Sequence, residues 1–165
     1  CINKYFNQAT DLALATTIIH EAFHCQLMSW FREAVKNNNL ALQQELATQY
    51  GYLFTSEILS SDSSLSHIVN GMNKTQHQDI VNRYKDMIAS ALLEFAKARG
   101  IKNIDIEYCK DLAWSGTQDS KAFEDLKDDD KERIIDRVNA EKDPMRNKGL
   151  NDKDKDVNSK GSPCK

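Results

Sequence analysis

The sequence predicts a mainly α domain with little or no β-sheet, built on two long helices. Three observations carry that reading. Apolar residues over 10–35 and again over 75–99 recur at spacings of three and four, the period of one helix face. The apolar–polar alternation of a half-buried strand is nearly absent, with only Ile2–Phe6 and Ile104–Tyr108 reading as short strands. A length of 165 residues, 40% of them hydrophobic and 28% charged, suits one globular domain around one core.

The first helix spans 10–35. Thr10 is a plausible N-cap and Asp11 suits the first turn. Leu12, Ala15, Ile19, Phe23, Leu27 and Trp30 form its apolar stripe, and adjacent Ile18 and Ile19 imply burial on more than one side. Asn37-Asn38-Asn39 is a turn signal. A second short helix follows at 40–50, then an apolar stretch from Gly51 to Leu59 that reads as helix or strand, and a loop at 60–64. Residues 65–72 form a short helical turn ending near Gly71. Thr75 then caps a long helix that runs to about Arg99 and is closed by Gly100. Its inner face is His77, Val81, Tyr84, Ile88, Ala91 and Phe95. Beyond the turn at Gly116, a short helix at 118–126 turns Phe123 and Leu126 inward. A last helix from about Asp129 to Ala140 carries Ile134, Ile135 and Val138. Residues 142–165 are polar and repeat Asp, Lys and Asn, so they are expected to be a disordered tail behind a folded domain of residues 1–141.

Chemistry concentrates in His20-Glu21-Ala22-Phe23-His24, an H-E-x-x-H motif inside the first helix. Residues i and i+4 project from one side of a helix, so two imidazoles at this spacing can share one Zn²⁺. Glu21 beside them is placed to take a proton from a water activated by that ion. The expected activity is therefore zinc-dependent hydrolysis of peptide bonds in a protein or peptide substrate, with Glu21 as general base. A catalytic zinc needs a third protein ligand. Of the four histidines, His67 and His77 remain. His77 is preferred because it shares the inner face of the second long helix, whereas His67 follows a serine-rich loop. Asp79 and Glu94 are the carboxylate alternatives. Tyr84, Tyr108, Tyr50 and Tyr52 are the tyrosines from which an oxyanion stabiliser would come, and none stands out.

A net charge of −3 advertises neither nucleic-acid nor anionic-membrane binding, and no apolar run approaches the roughly 20 residues of a membrane span. Cys1, Cys25, Cys109 and Cys164 contain no C-x-x-C pair and do not read as a structural zinc site. Cys25 points about 100° away from His24 on the helix and reads as packing. Cys1 and Cys164 could pair in an oxidising compartment. The start at Cys1, about ten residues before the motif helix, reads as an excised piece of a longer polypeptide.

Three blocks also resemble a family. They are Leu12 through His24, then Gln76-His77-Gln78 opening a helix that carries Tyr84, then Tyr108-Cys109-Lys110-Asp111-Leu112-Ala113-Trp114-Ser115-Gly116. In this order they are similar to the zincin-like metallopeptidase domains of Bacteroidetes, which are loosely SprT-like. The resemblance covers about residues 8–141, and its first block is the most specific. It implies His20, His24 and His77 as zinc ligands and Glu21 as base. The family often has Glu after its Q-H pair, where this chain has Gln78. Such domains often end long secreted or cell-surface proteins, so that location is expected here, with the cytoplasm left open. The rival readings are a catalytically inactive binding module of a larger surface protein and a toxin or effector peptidase domain.

Overall fold

The computed structural model describes residues 9–41, 66–144 and 158–163. Among these residues there are five helices and no strand; the β-pairing is a single antiparallel bridge between Thr10 and Pro163. The helices are α1 (Asp11–Lys36), α2 (Ser66–Ala98), α3 (Ile106–Leu112), α4 (Lys121–Glu124) and α5 (Asp128–Lys142). No helix among the described residues is long and apolar enough to cross a membrane.

α1 starts where the sequence places it. The Thr10 hydroxyl oxygen accepts from Ala13 N at 3.2 Å, which is an N-cap bond. The helix stops at the asparagines, with Asn38 in the left-handed region at φ 51. Its buried face is narrower than the stripe suggests. Leu12, Ala13, Ala15, Thr16 and His20 are buried, and Ile19 and Phe23 pack at the edge of the core. Ile18 is 57% exposed and Trp30 43% exposed. At about 100° per residue, Ile18 lies well over 100° round the helix from the middle of the buried arc, so burial is one-sided. Cys25 is exposed rather than packed.

α2 differs more from expectation. It is one helix of 33 residues starting at Ser66, so Gly71 does not end a turn and Thr75 is not a cap. A glycine inside a helix costs about 1 kcal/mol relative to alanine, too little to stop a run with helix formers such as Met72, Lys74 and Gln76 beyond it. The C-terminus agrees with the sequence. Gly100 has φ 70, its N–H donates to Lys97 O at 3.0 Å, and Ile101 N donates to Ala96 O at 2.9 Å. This is the Schellman arrangement that glycine permits. Ile80, Val81, Ile88, Ala89, Leu92 and Ala96 are buried, while Tyr84, Ala91 and Phe95 are only partly so. The buried face is thus rotated slightly from the predicted one.

α3 replaces the strand expected at Ile104–Tyr108. Asp105 Oδ1 accepts from Tyr108 N at 2.8 Å, and this cap turns an alternating sequence into a helix start. α3 lies along α2 and buries Tyr108, Cys109 and Leu112. Burial pushes the Cys109 thiol up to about 11. α4 is shorter than predicted. It is capped by Ser120 and seats Phe123 against Trp114, ring centroids 5.5 Å apart. α5 buries Ile134, Val138, Ala140 and Glu141 but leaves Ile135 39% exposed, because Ile135 is one position off the buried face. Arg133 and Arg137 of α5 both donate to Asp111 Oδ2, at 2.9 and 2.8 Å, and tie α5 to α3.

The expected disordered tail is corrected at its far end. Residues 158–163 return to the start of α1, where Asp11 N donates to Ser162 O and Ser162 N donates to Asp11 Oδ1, both at 2.8 Å. They also reach Glu141, which is fully buried. Its carboxylate accepts from the hydroxyls of Thr10 and Tyr108 and from the N–H groups of Lys160 and Gly161. Apolar content alone could not anchor this segment; a buried carboxylate that needs donors does. The predicted features at Ile2–Phe6, 42–59 and 60–64, and the Cys1–Cys164 pair, lie outside the described residues.

Candidate metal centre

His20 and His24 stand one turn apart on α1, and the packing of α2 against α1 brings His77 to them. Nε2 of His20 and Nε2 of His24 are 2.9 Å apart. The His77 ring centroid is 5.5 Å from that of His20 and 6.0 Å from that of His24. One ligand nitrogen from each residue falls within 4.8 Å of the others. Among the described residues this is the group able to hold a metal ion. Of the other third-ligand candidates, Glu94 does not join it. Glu94 is exposed, about five turns further along α2. His67 falls in the first turn of α2, and the side chains of His67 and Asp79 lie outside what the structure describes.

A carboxylate that the sequence reading missed orients the third histidine. Asp119 Oδ1 lies 2.6 Å from His77 Nδ1. An ionised carboxylate can only accept, so Nδ1–H donates, and in the neutral ring that leaves the lone pair on Nε2. Metal-ligating histidines are commonly held in this way. Gln78, next in sequence, braces the same turn: its Oε1 accepts from Ala122 N in α4 at 2.7 Å, and its Nε2 donates to Asn82 Oδ1 at 2.9 Å. Gln78 thus binds α4 to α2. With 25 acidic residues in the chain, nothing local marked Asp119. The only available signal was the general need of a ligating histidine for a partner on its other nitrogen.

His20 is the buried member of the triad. Burial, followed by the nearby His24, His77 and Lys142, lowers its pKa from 6.5 to about 4, with Asp119 opposing. It is therefore a neutral imidazole at neutral pH. Its Nδ1 is buried without a hydrogen-bond partner among the described residues. Gly116, at φ +86, backs this ring; a Cβ there would lie 3.3 Å from His20 Cε1. Three close imidazoles, one held uncharged and one oriented by a carboxylate, fit a divalent cation.

The triad opens into a cleft of about 430 Å³, lined also by Glu21, Thr17, Ser115, Gly116 and Lys142. Glu21 is exposed on its wall. The Thr17 hydroxyl is committed to Ala13 O at 3.0 Å. The described tyrosines do not line this cleft. Tyr84 stacks on Phe23 with centroids 4.7 Å apart, and the Tyr108 hydroxyl donates to buried Glu141 at 2.5 Å. Tyr50 and Tyr52 lie outside the described residues. In comparisons with known proteins, no family model, curated protein or solved structure matches this chain.

Proposed function

We propose that this chain is a zinc-dependent peptidase of the zincin-like kind that its sequence resembles. The observation that carries the reading is the meeting of His20, His24 and His77 beside Glu21 in one open cleft. Imidazole donors suit zinc among several transition metals, and the H-E-x-x-H spacing favours it. His20, His24 and His77 would hold the ion, with Asp119 fixing the tautomer of His77. When bound, zinc supplies a Lewis acid and lowers the pKa of a water. Glu21 does the proton work: its carboxylate accepts a proton from the attacking water and returns it to the leaving amine.

Glu21→Gln tests the reading. The amide nearly matches the carboxylate in size but cannot accept the proton. Zinc content by mass spectrometry should stay at about one equivalent, and cleavage of casein or a peptide library should fall by roughly 10²–10⁴-fold. Equal cleavage by both proteins sinks the mechanism. Zinc in both with cleavage by neither assigns the non-catalytic binding module instead.

A further inference from the structure

We infer that Lys142 is the anion-binding residue of the cleft and holds a negatively charged ligand oxygen beside the three histidines. This deepens the proposed function and rests on its metal site. Lys142 is the last residue of α5, far in sequence from the H-E-x-x-H motif, yet it lines the same cleft as His20, Glu21 and His77. Among the described lining residues it is the lone Lys or Arg, and Glu21 is the lone carboxylate. Lys142 is exposed on the cleft wall, and no carboxylate among the described residues pairs with it. Its position is fixed from behind. Glu141 is anchored by Thr10 and Tyr108, and Thr10 N also donates to Glu141 O at 2.9 Å.

A cation without a carboxylate partner among the described residues, at the rim of a site for another cation, is electrostatically unfavourable for the empty cleft. It becomes favourable once an anionic oxygen enters between the two, because a charge-assisted hydrogen bond in a partly desolvated cleft is stronger than one in water. Two ligand features share this chemistry: the carbonyl oxygen that gains charge as a peptide bond is attacked, and a terminal carboxylate. With no tyrosine lining the cleft among the described residues, Lys142 is the side chain placed to serve either.

The test compares wild type with Lys142→Met and Lys142→Arg. Zinc is titrated first. Inorganic phosphate, tetrahedral like the reaction's oxyanion, and acetate, planar like a terminal carboxylate, are then titrated separately into the zinc-loaded proteins by calorimetry. Lys142→Met should bind zinc at least as tightly as wild type, since a positive charge near the ligands has gone. It should bind one or both anions roughly tenfold or more weakly, with Lys142→Arg keeping part of the affinity. An effect on phosphate alone assigns the oxyanion, and an effect on acetate assigns the carboxylate. Unchanged affinity for both anions in a protein that binds zinc overturns this inference alone. A wild-type protein that takes up no zinc overturns the metal reading, and this inference with it.

Discussion

At His20 two demands converge on one imidazole: burial requires it uncharged, and the proposed metal would require its lone pair. The lowered pKa meets both, and it gives a pH dependence with a definite sign. In the unfolded chain His20 binds a proton near pH 6.5, while in the folded metal-free protein it does so near 4. Its contribution to stability is therefore complete above about 6.5 and is lost as pH falls towards 4. The loss runs at up to about 1.4 kcal/mol per unit and reaches roughly 3 kcal/mol. Urea unfolding of the chelator-treated protein across that window should show the decline, and His20→Gln, which has nothing to protonate, should flatten it. Parallel curves for the two proteins would refute this. Asp119 makes the other residue-scale prediction: Asp119→Ala should weaken zinc binding about 10–100-fold with the fold intact, read by competition with a fluorescent chelator. His20, Glu21 and His24 are legible in the sequence because one helical turn fixes their relation. His77 is legible because ligand arithmetic leaves few candidates. Asp119 is not, since its relation to His77 exists only once α4 has docked on α2.

Helix ends were easier to read where a residue type admits one geometry. Gly100 closes α2 because its φ of 70 favours glycine, and Thr10 opens α1 because its hydroxyl meets a free N–H. Thr75 offered the same kind of signal without being used, since a capping residue inside a helix is merely tolerated. The alternation at Ile104, Ile106 and Tyr108 misled in the same way: three residues are too few to distinguish periods of 2 and 3.6. The turn between α3 and α4 couples element to site. Gly116→Ala must place a Cβ 3.3 Å from the His20 ring at a left-handed φ. It should cost roughly 1–2 kcal/mol of stability and weaken zinc binding as well. A melting temperature and zinc affinity both equal to wild type would show that the ring and the turn yield freely.

For the molecule as a whole, the return of residues 158–163 to α1 and α5 changes what a truncation should do. Cutting the chain after residue 157 removes Lys160 N and Gly161 N from the buried Glu141 carboxylate. A buried carboxyl group that loses two of its four donors is costly, so the loss should be about 1–3 kcal/mol. The drop in melting temperature should be measured in reducing buffer, so that Cys164 plays no part. No change would mean that water replaces the strap. This contact was illegible in a segment so polar, because composition reports how much apolar surface can be buried and says nothing of a distant carboxylate waiting for donors. The placement of the histidines has a mechanical consequence too. His24 and His77 lie on either side of the whole stretch joining α1 to α2. An ion gripping both would close that stretch into a ring, as a disulfide does, and for a ring of about 50 residues the chain-entropy gain is about 4 kcal/mol. Lengthening the ring changes little, since doubling it costs only about 0.6 kcal/mol. Angular phase is far less forgiving: one residue inserted between His77 and Ile80 would swing His77 by about 100° away from its partners. Evolution is thus free to vary the span between the two helices and held fast on the register within them.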